Sequence, residues 1–148
     1  MKSVREDIKD KLIAGGLSPS FGGPEDWSIY IRKEPPARVA GISTKTITLY
    51  EVPSPPPQTT QNAAAKPLRH DSFQVRVRGG EDEVYKKAAA IDDYLRALGR
   101  FTVTEPGFPN VTYQSITSTS EILELPPTEG QMGFIRVQTW ETQRQERV

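Results

Sequence analysis

The sequence predicts an α+β protein with a mainly antiparallel four- to five-stranded sheet. Two helices pack on one face of that sheet, and a long proline-rich loop is inserted between two strands. Three observations carry the prediction. Several stretches alternate apolar and polar side chains with a period of two, as half-buried strands do. Two other stretches repeat apolar residues at helical spacing. The connections are mostly of hairpin size, which favours antiparallel neighbours, and two helices are too few to cover both faces of a sheet, so they belong on one.

Taken in order, Ser3-Val4-Arg5-Glu6 has the form of a capping box, and Val4, Ile8 and Leu12, with Ile13 beside them, line a short helix stopped by Gly15-Gly16. Leu17 to Asp26 reads as a Gly/Pro loop. Trp27 to Arg32 alternates as a strand, interrupted by Glu34-Pro35-Pro36. Ala40 to Val52 is a second strand, with threonines on the polar side of Thr46-Ile47-Thr48-Leu49-Tyr50. Pro53 to Arg69, including Pro55, Pro56 and Pro57, resists helix and strand and is expected to be an extended arm between strands that still pair in space.

The clearest unit follows. Phe73, Val75 and Val77 alternate with Gln74, Arg76 and Arg78, and Gly79-Gly80 breaks the strand. Glu81-Asp82-Glu83 then opens a helix, suiting the positive end of its dipole, and Val84, Ala88, Ile91, Leu95 and Leu98 form its apolar stripe up to Gly99. Phe101 to Asn110 reads as a loop and Tyr113 to Leu125 as an exposed strand. In the last strand, Met132 to Gln143, Ile135, Val137 and Thr139 face one side and Phe134, Arg136, Gln138 and Trp140 the other. Arg144 to Val148 reads as a loose polar tail.

The 148 residues fit a single domain, 1–148. Only 35% are hydrophobic and 13 are proline, so part of the chain is expected to be loop or tail, with neighbouring subunits supplying some of the burial. The 19 basic and 19 acidic residues cancel, which argues against a free-standing nucleic-acid binder. There is no cysteine, hence no disulfide framework or thiolate nucleophile. No secretory signal or membrane-length apolar run is visible, so an aqueous, cytosolic setting is expected.

Catalytic chemistry finds little support. His70, the sole histidine, lies between Arg69 and Asp71 with no nucleophile motif around any serine. The acids at 81–83 and 92–93 read as dipole complementation and a solvated helix face rather than a metal cluster. Gly79-Gly80 lacks the Lys-Ser/Thr of a phosphate loop, and three acids stand where a phosphate would bind. Neither an enzyme nor a cofactor is expected. The candidate interaction residues are Gln74, Arg76 and Arg78 on the strand face away from the helices, Arg136 and Trp140 on the last strand, and Pro55, Pro56 and Pro57 in the arm. The uncovered face, with its Arg, Thr, Gln and aromatic residues, is expected to be solvated or covered by another subunit.

Asp71-Ser72-Phe73-Gln74-Val75-Arg76-Val77-Arg78-Gly79, followed by an acidic turn, Tyr85, Ala88-Ala89, Ile91 and Leu95, resembles the tail terminator and minor capsid proteins of long-tailed bacteriophages. The order of elements agrees over most of the chain, the pattern only from Asp71 to Leu98. The resemblance implies a structural virion protein, assembled in the host cytoplasm, whose copies form a hexameric ring on the head-proximal end of the tail tube. Its implied partners are itself, the tail tube protein and the head–tail connector, with DNA passing through the ring without specific binding and no membrane involved. A head-completion or connector adaptor of the phage neck is the alternative.

Overall fold

A computed structural model describes residues 3–19, 27–31, 45–53, 68–125 and 133–146. Its longest strand, β7 (Phe134–Glu146), organises the sheet. One edge of β7 pairs antiparallel with β3 (Ser72–Gly79), from Gly79↔Phe134 to Ser72↔Glu141. The other edge is shared: β6 (Leu123–Leu125) takes Ile135 to Val137, and β5 (Val111–Ser118) takes Trp140 to Glu146. Beyond β3 lies β2 (Thr46–Val52), antiparallel, and beyond β2 lies β1 (Ser28–Tyr30), parallel to it. β4 (Phe101–Val103) closes the far side against β5, giving the order β1-β2-β3-β7-β5-β4 with β6 beside β7.

The fold class is α+β as expected, but the sheet is mixed, has seven strands among the described residues and is strongly curled into a half-barrel. The expectation of four to five antiparallel strands fails for physical reasons. β4 and β6 have three residues each, too few to print a period of two. β4 therefore lay hidden at the start of the expected loop Phe101–Asn110, and β6 was merged with β5 into one strand. The β1–β2 connection, residues 31–45, is long enough for the crossover that a parallel pair requires.

The helices match their sequence signals. α1 (Val4–Ala14) carries the capping box: Glu6 N–H donates to Ser3 Oγ at 3.3 Å, and Ser3 N–H donates to Glu6 Oε2 at 2.9 Å. It ends at Gly15, where a Cβ would stand 2.5 Å from the Tyr94 ring, whose hydroxyl donates to Lys11 O at 2.7 Å. α2 (Glu81–Leu98) begins after Gly80 with three acids in its first turn. Val4, Ile8 and Leu12 of α1 join Val84, Ala88, Ile91 and Leu95 of α2 in one core with Ile47, Leu49, Phe73, Val75, Val77, Ile116 and Trp140. The register places those strand residues on a common face, so both helices lie on that face.

Two features of the last strands differ from the sequence reading. A register shift between Tyr113 and Ser115 turns the inward face of β5 from Val111 and Tyr113 to Ile116 and Ser118. This is the one-residue slip that a β-bulge produces. The expected loose tail from Arg144 is instead strand through Glu146, and Arg144 is only 5% exposed. Trp140, Thr142 and Arg144 continue one alternation, and each has a partner across the strand on β5. Pairing with a neighbour, rather than apolar composition, keeps these polar residues in the sheet.

Candidate functional surfaces

The sheet face away from the helices carries the arginines that the sequence singled out. Thr46, Thr48 and Tyr50 of β2 stand opposite Arg78, Arg76 and Gln74 of β3, which stand in turn opposite Ile135, Val137 and Thr139 of β7. This face is not an open plane. Thr46, Thr48, Arg78, Ile135 and Val137 are all buried, so the expectation of a solvated or subunit-covered face is corrected there. Gln74 and Arg76 remain half-exposed, and the Arg76 guanidinium lies 5.3 Å from the centre of the Tyr50 ring. At the end of this face Gly133 has φ +101°, and a Cβ there would meet Gly79 O at 2.9 Å. Only glycine lets the chain enter β7 this close to β3.

At the Glu146 end of β7 the helix-side face holds a buried polar cluster that the sequence reading missed. Arg144 Nε donates to Asp71 Oδ2 at 2.6 Å, and its Nη1 lies 3.6 Å from Asp7 Oδ2 of α1. The Tyr113 hydroxyl donates to the same Asp7 oxygen at 2.5 Å and accepts from Arg144 Nη1 at 3.4 Å. Phe101 of β4 stacks on the Tyr113 ring, centroids 4.5 Å apart. Burial pushes the Tyr113 phenol far above its ordinary value; Arg144 opposes that shift and Asp7 reinforces it. Burial alone would lower the Arg144 guanidinium, but its contacts with Tyr113 and Asp71 outweigh it and hold the charge. Backbone bonds lock the strand beside the cluster: Arg69 and Arg144 exchange N–H and carbonyl at 2.9 Å, and Thr142 N–H donates to Asp71 O at 2.9 Å. The cluster joins the first helix to the last strand. The signal that could have found it was the period of two running on from Trp140 through Arg144.

The Phe134 end of β7 is built differently. Arg136 spans the Tyr85 ring of α2, 5.1 Å from its centre, and lies 3.8 Å from Glu124 of β6. Phe134, two residues back on the same face, is 38% exposed and Tyr85 60%. Trp140, by contrast, is a core residue: it is 1% exposed, stands opposite Phe73 and has the Arg96 guanidinium 5.5 Å from its ring centre. Of the proposed interaction residues, then, Arg136 belongs to a surface, Gln74 and Arg76 are half-exposed, and Arg78 and Trp140 are interior. Pro55, Pro56 and Pro57 lie outside the described residues. At the arm's two ends Val52 and Ser72 do pair across β2 and β3.

The remaining features offer little chemistry. His70 Nδ1 lies 3.7 Å from Glu141 Oε1. Lys87 Nζ donates to Leu17 O at 2.8 Å, and burial, then repulsion from Lys45, lowers its pKa. The cavity between α2 and the sheet, lined by Val75, Val77, Ala88 and Ile91 among others, measures about 10 Å³. That is room for about one water. Among the described residues, no three His, Cys, Asp or Glu side chains are grouped to hold a metal ion. Nor, among those residues, is any helix long and apolar enough to cross a membrane.

No protein-family profile and no curated protein matches the chain. Among solved structures, one protein aligns over 99% of this chain and 99% of its own, at 16% identity and a TM-score of 0.44. A likeness at that level carries no functional argument.

Proposed function

We propose that this chain is a non-enzymatic structural subunit of a long-tailed bacteriophage: a tail terminator whose copies form a ring, hexameric by the resemblance, on the head-proximal end of the tail tube. The ring stops addition of tube subunits and presents its other side to the head connector. The observation that carries this reading is the unit on which the resemblance rests. Asp71 to Leu98 folds as β3, a Gly-Gly break and α2, with Phe73, Val75 and Val77 meeting Val84, Ala88, Ile91 and Leu95 in one core. An exposed aromatic surface at one end of the sheet accords with a subunit that completes its burial in an assembly.

The test is electron microscopy of particles made by a phage lacking this gene, scored for tail length. Overlong or heterogeneous tubes detached from filled heads are expected. Tails of normal length on unjoined or leaking heads would overturn the terminator and move the protein to the connector side of the neck.

A further inference from the structure

Lys87 on α2 is set differently from its neighbour Lys86. Lys86 is exposed, whereas Lys87 is half-buried. Its Nζ donates to Leu17 O at 2.8 Å and lies 5.3 Å from the centre of the Trp27 ring. No carboxylate among the described residues lies within ion-pair distance of it. Glu83, one turn back on α2, is the acid placed to form the usual pair, but it faces Lys45 Nζ at 3.3 Å instead. Lys45 also stays close. A Cβ at Gly79 would stand 3.4 Å from the Trp27 ring and 3.8 Å from Lys45 Cγ, so both side chains converge beside Gly79. Around the Lys87 amine are therefore a carbonyl, an indole and a second lysine, and no acid. Partial burial disfavours an ammonium that lacks a counter-charge, and the neutral amine is the nucleophilic form. Burial first, and then Lys45, lower the pKa of Lys87.

We propose that Lys87 is an acyl-acceptor site, its amine taking a small acyl group from an activated carboxylic acid of the acyl phosphate class. The inference is independent of the assembly reading above. The lone pair of Nζ attacks the acyl carbon. The N–C bond forms as the C–O bond to phosphate breaks, phosphate leaves with that electron pair, and a proton passes from Nζ to solvent. The side chain is half-buried rather than open, so the donor it suits is small, an acetyl rather than a long acyl chain. Acylation replaces the ammonium by a neutral amide, which ends both its attraction to the Trp27 ring and its repulsion from Lys45. Lys86, on the same helix turn, is the built-in comparison, since it differs in burial and contacts rather than in chemistry.

The experiment treats the full chain with acetyl phosphate to low conversion at a series of pH values. Each lysine's adduct is quantified by peptide mass spectrometry, with Lys86 and Lys87 told apart by fragment ions. Expected is a Lys87 adduct about threefold or more above that of Lys86 at about pH 7.5, a ratio that falls towards one as the pH passes about 10.4, where ordinary lysines also lose their proton. Lys45→Gln removes the second ammonium and leaves Glu83 without its lysine, so Glu83 is available to Lys87 and the ratio at the lower pH should fall. Acetylation of Lys87 no faster than that of Lys86 across the series would overturn the site. A ratio unchanged in Lys45→Gln would overturn the charge arrangement on which it is argued.

Discussion

The two ends of β7 reverse the usual relation between polarity and burial. At the Glu146 end an arginine, two aspartates and a tyrosine hydroxyl share one interior, with Arg144 and Asp7 almost fully buried. At the Phe134 end Tyr85 and Phe134 are exposed on the side of Arg136, and Leu123 of β6 is exposed on the opposite face of the sheet. Burial in this chain follows the availability of partners more than the polarity of the side chain. The buried end is closed by partners from α1, β5 and the residue preceding β3; the other end has apolar groups that stay exposed. The closed end is expected to carry stability and the open end little of it, and the two are separable by mutation.

The largest effect is expected at Arg144. Arg144→Met removes a cation in contact with both Asp7, which is buried, and Asp71, which is partly buried. Breaking a buried pair in this way costs about 3–5 kcal/mol, against a total stability of only about 5–15 kcal/mol. Urea unfolding should show a lowered midpoint. Arg144→Lys keeps the charge but not the forked geometry that reaches Asp71 and Asp7 together, so an intermediate loss is expected. A change below about 0.5 kcal/mol in Arg144→Met would erase the distinction between the two ends.

Tyr113→Phe comes next, because it withdraws the hydroxyl that donates to Asp7. Hydrogen bonds to charged groups contribute about 1.5–3 kcal/mol. The pH dependence sharpens the assignment. The folded protein holds the phenol proton far above the ordinary value of 10.0, whereas the unfolded chain releases it near that value. Stability from this group is complete below about pH 10 and declines as the pH rises further, because the folded state then binds more protons than the unfolded one. Tyr113→Phe should start from a lower plateau and lose that part of the alkaline decline, measured as midpoint against pH. A decline as steep as in the parent protein would place the phenol in solvent.

How much of this was legible in the sequence follows from the same contrast. The capping box of α1, the Gly-Gly break and the stripe of α2 were readable because their signals are local and several residues long. The Arg144 cluster was not, since its members come from four places, Asp7, Asp71, Tyr113 and Arg144, and polar residues near the end of a chain look like a tail until their pairing is known. The bulge after Tyr113 broke the period on which strand reading depends, and β4 and β6 were too short to have one. Alternation puts Arg76 and Arg78 on one face with Gln74, but it cannot tell that Arg78 is buried while Arg76 stays half-exposed. The placement of Tyr85 under Arg136 depends on how α2 meets β7, which no local pattern shows.

A smaller effect tests how α1 reaches the closed end. Gly15→Ala puts a methyl group 2.5 Å from the Tyr94 ring, which cannot swing away without losing its bond to Lys11 O. Overpacking of this kind costs about 1 kcal/mol at its lower limit. Tyr94→Ala in the same chain removes the obstacle, so the double variant should lose less than the sum of the single losses, read from a thermal-unfolding cycle. Strict additivity would mean that the two helices meet elsewhere.

The smallest effect on stability belongs to the open end, and there near-silence is the informative result. Tyr85 is 60% exposed, and its clearest contact is the guanidinium of Arg136, a cation–π pair of about 0.5–1 kcal/mol at an exposed site. Alanine forms helix better than tyrosine, which offsets part of that loss, so Tyr85→Ala should leave the urea midpoint within about 0.5 kcal/mol of the parent. Trp140→Ala, the same truncation at a residue 1% exposed, should cost about 3–5 kcal/mol. Solvent already occupies the space that Tyr85 would vacate, whereas the core cannot refill the space left by Trp140. If Tyr85→Ala unfolded as readily as Trp140→Ala, the Phe134 end would be core like its counterpart, and its aromatics would be committed to folding rather than left over for a neighbour.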